Sequence, residues 1–215
     1  MGLKLKDIIS HKELTLKDLA GKRIAIDGYN MLYQFLTTIR TQDGSLLMNS
    51  KGEVTSHLTG LFSRLVYFLE HSIEPIIVLD GKPPALKFAE RERRKALKEE
   101  AQESYEAAVE AADQAGMKKF AGRTTRLTPE ILQSAKELIT SLGIPLIQAP
   151  SEGEAQVAYL VKEKFAEYAV SQDYDTLLYE APKLIRNLSL SQKKKKANTL
   201  GYKEITPELI ILADV

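Results

Sequence analysis

The chain has 215 residues, of which 44% are hydrophobic, and its formal net charge is +1. This length is sufficient for one sizeable hydrophobic core, so we expect one domain with an insertion. The chain has no cysteine, which excludes a disulfide scaffold and a thiolate metal site, and no apolar run approaches the roughly 20 residues that cross a bilayer. We therefore expect a protein of a reducing, intracellular compartment without membrane contact.

Four short apolar runs predict buried strands, and segments with helical periodicity lie between them. The strands are expected at residues 23–26, 76–79, 145–148 and 168–171, and the helices at about 29–40, 57–70, 128–143 and 152–164. This alternation favours an α/β fold with a mostly parallel central sheet flanked by helices.

A charged segment from residue 84 to about 126 interrupts the alternation. Its first part, Pro84 to Gly116, is rich in Ala, Glu, Lys and Arg and has no interior Gly or Pro, which predicts one or two exposed helices inserted into the core of residues 1–215. Residues 44–52 predict a turn or hairpin. Lys193–Asn198 predicts a surface loop before a short strand at residues 200–203.

Acidic side chains follow every one of the four predicted strands. They are Asp27, Asp80, Glu152, Glu154, Asp173 and Asp175. A single Asp at a strand end is more often a helix cap or turn residue. Because ligands of open parallel sheets bind beyond the carboxyl ends of the strands, acids at all four ends indicate a common site.

Six carboxylates at one edge would repel one another strongly without cations. Ligation by oxygen alone suits Mg²⁺, with Mn²⁺ as a substitute, and the chain has neither cysteine nor paired histidine to favour zinc. Two such ions about 3.5–4 Å apart activate water and stabilise the leaving oxygen of a phosphodiester. The three histidines, His11, His57 and His71, show no metal spacing, and we expect them at the surface or at helix ends.

Basic side chains recur at helical spacing in the insertion, at Lys87, Arg91, Arg94 and Lys98. On a helix they share one face, within roughly 60° at 100° per residue. Because this face begins soon after Asp80 in the chain, we expect Lys87 and Arg94 to stabilise charge on a phosphate, and Arg91 and Lys98 to contact DNA. The alternative is a solvated helix carrying exposed ion pairs.

Three further candidate residues, Tyr33, Arg40 and Arg64, lie on the predicted helices. Tyr33 lies six residues after Asp27 and is either a base-stacking residue or an ordinary core aromatic. Arg40 lies on the same helix. Arg64 lies on the helix before the second predicted strand, and its position alone indicates a surface charge.

Several motifs occur in order along the chain. They are Met1-Gly2, Ile26-Asp27-Gly28, Tyr33-Gln34-Phe35-Leu36, Asp80-Gly81-Lys82-Pro83-Pro84, Ala149-Pro150-Ser151-Glu152-Gly153-Glu154-Ala155 and Gln172-Asp173-Tyr174-Asp175. In these motifs the chain resembles flap endonucleases of the structure-specific 5′ nuclease family, particularly archaeal ones, over essentially its whole length.

The resemblance implies a Mg²⁺-dependent nuclease with a PIN-like core and a helical arch. It implies metal coordination by the six carboxylates, a catalytic Lys87–Arg94 pair and base stacking by Tyr33. It further implies DNA contacts by Gly2, Arg40 and Arg64. Family members remove 5′ flaps during Okazaki-fragment maturation and long-patch base excision repair. We accordingly expect branched or flapped DNA as the partner, in the cytoplasm of an archaeon or the nucleus of a eukaryote.

The chain departs from the family pattern at its C-terminus. A further metal-binding Asp, a helix–turn–helix element and the peptide that binds the sliding clamp are all expected beyond Val215. A truncated chain of this kind is expected to be weakly active or inactive, so a non-catalytic DNA-binding fragment is one alternative. The other is a haloacid-dehalogenase-type phosphatase, whose nucleophile motif fits Asp173-Tyr174-Asp175-Thr176. That motif should come early, whereas only forty residues follow Asp175.

Overall fold

The computed structural model describes residues 9–111, 113, 116, 120, 122–188, 193–195, 202–204 and 206–215. The side chains of Arg91, Arg123 and the segments 193–195 and 202–204 are outside this description. The chain divides into two compact units. The first comprises Met1–Asn30, Ser63–Gly81 and Gly143–Val215, and the second comprises Met31–Phe62 and Lys82–Leu142.

Nine strands occur in the described residues. They are β1 (Lys12–Glu13), β2 (Arg23–Asp27), β3 (Glu74–Leu79), β4 (Leu146–Gln148), β5 (Tyr168–Val170), β6 (Lys183–Arg186), β7 (Lys193–Lys195), β8 (Tyr202–Glu204) and β9 (Glu208–Ile211). Seven form one sheet in the order β1-β9-β6-β5-β2-β3-β4. The strands β2 to β6 run parallel, while β9 pairs antiparallel with β6 and β1 pairs antiparallel with β9.

This sheet confirms the predicted α/β class with a mostly parallel sheet. The four predicted strands correspond to β2, β3, β4 and β5, with ends that differ by at most two residues. The strands β1, β6 and β9 were not predicted. The prediction of a loop at Lys193–Asn198 is wrong for Lys193–Lys195, which pair with Tyr202–Glu204 as an antiparallel ladder.

Six α-helices occur in the described residues. They are α1 (Gly28–Thr38), α2 (Ser56–Glu70), α3 (Phe88–Glu110), α4 (Pro129–Ser141), α5 (Gly153–Lys162) and α6 (Asp175–Leu178). Thr128 caps α4 through its side chain, with Pro129 at the first position. The helix α3 follows a 3₁₀ turn at Ala85–Lys87 and forms the long charged helix that the insertion predicts.

The core of the first unit lies where α5 packs against the sheet. Val157 and Ala158 of α5 are fully buried together with Ala25, Ala169 and Leu184 of the strands. α5 contacts β2, β3 and β5, the three strands that carry Asp27, Asp80 and Asp173 at or just after their carboxyl ends. Packing of apolar side chains therefore fixes these strand ends against α5, whose first residue, Gly153, lies between Glu152 and Glu154.

The segment between α1 and α2 contains two isolated antiparallel β-bridges. The predicted turn at residues 44–52 is confirmed by antiparallel bridges that pair Arg40 with Leu46 and Met48 with Val54. No helix within the described part of the chain is both long enough and apolar enough to cross a membrane.

Candidate functional site

The acidic side chains of the first unit lie around the carboxyl ends of β2, β3 and β5. Asp27 is the last residue of β2, Asp80 follows β3, and Asp173 follows β5. β2 pairs with β3 on one side and with the much later β5 on the other, so the strand order reverses here. Such a switch point leaves an open crevice beyond the strand ends, where open α/β sheets bind ligands.

Asp27 is the buried member of this group, with 6% of its surface exposed. Burial, together with the charges of Asp80 and Asp173, raises the pKa of Asp27 to about 7. Hydrogen bonds from the backbone of Asn30 and Tyr29 oppose the rise in this pKa. The mutual repulsion expected from the sequence is therefore present among these three carboxyl groups.

Asn30 joins two of these carboxylates, a role that the sequence analysis missed. Its backbone N–H donates to Asp27 Oδ1 at 3.0 Å, and its side-chain Nδ2 donates to Asp173 Oδ2 at 3.0 Å. The first bond follows from position, because Asn30 lies in the first turn of α1. The second hydrogen bond links residues that are 143 positions apart, so no local sequence pattern could predict it.

Two glycines allow the loops after β3 and β4 to touch. A Cβ atom on Gly81 would lie 1.9 Å from the carbonyl oxygen of Ala149, and the Gly81 N–H donates to Ser151 at 2.6 Å. A Cβ atom on Gly153 would lie 2.6 Å from Asp80 Oδ1, which instead accepts the Gly153 N–H at 2.6 Å. The Asp80 carboxylate is thus fixed against the first residue of α5.

The other three acids surround a tyrosine. Tyr179 donates its hydroxyl to Glu152 Oε2, and this hydrogen bond raises the pKa of Tyr179 to about 12, assisted by burial and by the charges of Glu152, Glu154 and Asp175. All six predicted carboxylates are buried or half-buried. Tyr179 was not predicted, although it lies one helical turn beyond Asp175.

The acids form an edge rather than a finished coordination sphere. Among the residues that the structure describes, no three acidic or histidine side chains converge closely enough to hold a metal ion as they stand. Several of the carboxylate oxygens accept hydrogen bonds from protein donors, namely Asn30, Gly153 and Tyr179. These hydrogen bonds orient the carboxylates, which keep further acceptor sites for a cation.

The second unit carries the predicted basic helix. Lys87 is exposed at the N-terminus of α3, and Arg94 donates to Glu90 at 2.8 Å with 60% of its side chain exposed. Arg93 also donates to Glu90, and these hydrogen bonds lower the pKa of Glu90 to about 2. Arg91 lies in the same helix, but its side chain is outside the described residues.

Tyr33 and Lys98, both predicted to contact DNA, contact each other in the second unit. Lys98 Nζ donates to the Tyr33 hydroxyl at 3.0 Å and lies 4.9 Å from the centre of its ring. Tyr33 is half-buried, so it is not a fully buried core aromatic.

Arg40 lies beside a cavity of about 360 Å³ in the second unit. Its guanidinium donates to the carbonyls of Leu36 and Gly44 and to Thr125 Oγ1, at 2.8–2.9 Å. Burial lowers the pKa of Arg40. Arg126, which the sequence analysis did not select, also lines this cavity.

The structure rules out a surface position for Arg64 and confirms the helix-end position expected for His57. Arg64 is not a surface charge, because only 7% of it is exposed, burial lowers its pKa to about 10, and it donates to the Leu188 carbonyl at 2.5 Å. His57 lies at a helix end as expected, but it is fully buried and its Nε2 is 2.8 Å from Ser134 Oγ. Gly2 lies outside the described residues.

The chain is an α/β protein of two units with acidic side chains along one edge of its sheet. Comparisons with known proteins identify the family to which it belongs. Residues 1–101 match the XPG N-terminal domain, and residues 143–215 match the XPG I-region. Flap endonuclease 1 of Thermococcus onnurineus is 47% identical over 215 residues, which are 100% of this chain and 63% of that protein. The chain therefore belongs to the XPG family and is similar in sequence to archaeal flap endonuclease 1.

Solved structures agree with this assignment. Flap endonuclease-1 from Methanococcus jannaschii superimposes with a TM-score of 0.71 at 43% identity, covering 100% of this chain and 64% of that one. The catalytic core of Rad2 in complex with DNA substrate gives a TM-score of 0.66 at 25% identity, covering 98% and 54%. The chain thus spans less than two thirds of the length of the relatives that it matches.

A more distant structure shares the fold alone. The Holliday junction-resolving enzyme GEN1, in complex with product DNA and a Mg²⁺ ion, gives a TM-score of 0.58 at 21% identity and covers 100% of this chain and 42% of that one. These family relationships give no support to the haloacid-dehalogenase-type alternative, whose motif rested on one tetrapeptide.

Proposed function

We propose that this chain is the catalytic core of a structure-specific DNA nuclease that removes 5′ flaps in replication and repair, with 5′–3′ exonuclease activity. The observation that carries the proposal is the group formed by Asp27, Asp80 and Asp173 at one sheet edge, where burial and then mutual repulsion raise the pKa of Asp27 to about 7. The similarity to flap endonuclease 1 over the whole chain supports the same activity.

The donor set suits magnesium. The edge offers only oxygen ligands, the chain has no cysteine, and ionised carboxylates held this close gain most from a divalent cation. We propose two Mg²⁺ ions, replaceable by Mn²⁺, held by Asp27, Asp80, Glu152, Glu154, Asp173 and Asp175. The Mg²⁺ ion recorded with product DNA in GEN1 supports metal use in this fold.

Bound Mg²⁺ would activate the attacking water and stabilise the leaving oxygen of the phosphodiester. Asn30 and Gly153 hold Asp173 and Asp80 through hydrogen bonds, so these two carboxylates are oriented before any ligand arrives. We propose that Lys87 and Arg94 supply positive charge to the scissile phosphate. The ion pair of Arg94 with Glu90 is exposed, and such pairs are weak enough to exchange for a phosphate.

We propose branched or flapped DNA as the substrate. Tyr33 and Lys98 offer an aromatic ring beside an ammonium group, a combination that binds unpaired bases and backbone. Arg40 and Arg126 line one cavity, and paired guanidinium groups suit a phosphate. We also propose that Arg91 and Gly2 contact DNA. The burial of Arg64 favours an indirect role for this residue in DNA binding. The DNA substrate in the Rad2 complex supports this class of ligand.

We propose that residues 1–215 constitute one 5′ nuclease core in which the segment 84–126 forms the arch and cap. The longer protein would add the helix–turn–helix element and a peptide for the sliding clamp. The archaeal relatives support work on DNA in the cytoplasm.

A non-catalytic DNA-binding fragment is the second candidate. One observation favours it, namely that the described acids do not converge into a ready metal-binding group. Such a fragment would bind DNA with a strong dependence on salt but release no product.

One experiment separates the two candidates. Labelled 5′-flap DNA is incubated with Mg²⁺ and either this chain or a version extended with the C-terminal region of an archaeal relative. We expect the extended version to cut at the base of the flap and this chain to cut more slowly. Salt-dependent binding without any product from this chain would support the non-catalytic candidate, and absence of product from the extended version as well would contradict the nuclease proposal.

A further inference from the structure

Arg186, the last residue of β6, contacts the loop that carries Asp173 and Asp175. Its Nε donates to the carbonyl oxygen of Gln172 at 3.0 Å, and its Nη1 donates to the hydroxyl of Tyr174. The guanidinium carbon also lies 3.9 Å from the centre of the Tyr174 ring. One side chain therefore engages the residue before Asp173 and the residue between the two acids.

The position of Arg186 is itself constrained. It is paired across the antiparallel β6–β9 ladder with Glu208, and its Nη1 lies 3.7 Å from Glu208 Oε2. Both side chains are only 15% exposed, so this pair is better shielded from water than the other ion pairs of the described residues. The strand β6 also accepts the Ser171 N–H at the Ile185 carbonyl, one residue before Arg186.

We propose that Arg186 is a positioning residue that clamps the Gln172–Asp175 loop and thereby sets the direction of the Asp173 and Asp175 carboxylates. This inference deepens the proposed function, on which its metal-binding consequence rests. Arg186 acts on the two carboxylates indirectly, through the backbone of Gln172 and the ring of Tyr174.

The chemistry of the contacts requires arginine rather than any cation. A planar guanidinium donates through Nε and Nη1 in fixed directions while its face stacks on an aromatic ring. A lysine ammonium carries the same charge but cannot make both hydrogen bonds and the stacking contact together. If the charge alone were required, lysine would serve equally well, which makes Arg186→Lys the decisive variant.

The first test measures the loop itself. Amide hydrogen exchange of residues 172–175 is compared between the unmodified chain, Arg186→Met, Arg186→Lys and the control Lys183→Met. Lys183 is exposed on the same strand and lies 5.5 Å from the ring of Tyr168, so the control removes a cation beside an aromatic ring away from the loop. We expect exchange in the loop to accelerate at least about tenfold in both Arg186 variants and to stay unchanged in the control.

Exchange at the unmodified rate in Arg186→Met, or full restoration by Arg186→Lys, would overturn the proposal. If Arg186→Met does not fold, Tyr174→Phe provides the second test, because it removes the hydroxyl acceptor and keeps the ring. We expect Tyr174→Phe to accelerate loop exchange in the same direction but less, and an unchanged rate in this variant would also count against the clamp.

The second test separates this inference from the proposed function. Isothermal titration calorimetry with MgCl₂, without DNA, is expected to show affinity at least about tenfold weaker in both Arg186 variants, and unchanged affinity in Lys183→Met. If neither the unmodified chain nor its extended version binds Mg²⁺ or cuts flap DNA, the proposed function is wrong. The hydrogen-exchange result still tests, independently, whether Arg186 holds the Gln172–Asp175 loop. Unmodified Mg²⁺ affinity in Arg186→Met, with measurable binding to the unmodified chain, would contradict the role in metal binding.

Discussion

The backbone N–H of Gly153 donates a 2.6 Å hydrogen bond to Oδ1 of Asp80, although the two residues lie 73 positions apart. Gly153 stands between Glu152 and Glu154, so one peptide N–H ties the loop of two proposed metal ligands to a third. A side chain at Gly153 would enter the space of this contact, because its Cβ would lie 2.6 Å from the carboxylate oxygen.

We therefore expect Gly153→Ala to displace the Asp80 carboxylate. Flap cleavage under single-turnover conditions should slow by about 100-fold, since small misplacements of reacting groups cost rates of this order. The free energy of unfolding should fall by only about 1–3 kcal/mol. The control is Gly122→Ala, whose added methyl group meets no atom within 4 Å. An unchanged rate in Gly153→Ala would show that the contact does not orient Asp80.

The basic residues of α3 provide a matched comparison, because Arg93 and Arg94 both bind Glu90. We expect Lys87→Ala and Arg94→Ala to slow single-turnover cleavage by roughly 100- to 1000-fold, because they would remove charge from the reacting phosphate. Arg93→Ala should leave the rate nearly unchanged, although it loses the same carboxylate partner. DNA affinity is measured in parallel by fluorescence anisotropy, and equal losses of affinity and rate would indicate a binding role for Lys87 and Arg94.

Arg64 is expected to act through stability. Arg64→Met removes the donor to the Leu188 carbonyl and should lower the free energy of unfolding by about 1–3 kcal/mol, because that carbonyl loses a charged partner. Urea unfolding measures this change, and Lys22→Met, which removes an exposed cation, serves as control. A lower affinity for flap DNA at unchanged stability would instead support direct contact with DNA.

His57 predicts a dependence of stability on pH. Burial lowers the pKa of His57, so below about pH 6.5 the unfolded chain binds a proton that the folded chain resists. The stabilising contribution is complete above that pH and is lost as the pH falls through the folded-state pKa. The stability of the unmodified chain should therefore fall more steeply between pH 7 and 5 than that of His57→Gln, by up to about 1.4 kcal/mol per pH unit. His11→Gln, an exposed position, should behave like the unmodified chain.

The arrangement of the acidic edge could be predicted because it depends on local patterns. Short apolar runs fix the strands, parallel strands end at one edge, and the acids follow those runs directly. The contacts that orient the acids depend instead on long-range packing. Asn30 donates a hydrogen bond to Asp173, and Tyr179 donates one to Glu152. Arg186 donates to Gln172 from β6, a strand that the sequence pattern did not predict.

Two errors have identifiable physical reasons. Lysine is depleted in strands, so the run of four lysines did not predict the ladder between β7 and β8. Arg64 stands beside Leu61 and Leu65 on α2, near the apolar face, yet arginine is usually exposed, and only the fold reveals the buried Leu188 carbonyl that accepts its donor.

The most direct measurement is Mg²⁺-dependent cleavage of labelled 5′-flap DNA by the C-terminally extended protein and its Asp80→Ala variant. Asp80 adds its charge to that of Asp173 beside Asp27, so its removal should disable metal binding and slow cleavage at least about 1000-fold. Flap DNA affinity should remain within about threefold, since phosphate contacts elsewhere supply most of the binding. Glu163→Ala, which removes an exposed carboxylate of the same unit, should cut at the unmodified rate. Cleavage by Asp80→Ala at the unmodified rate would contradict a metal site at this edge of the sheet.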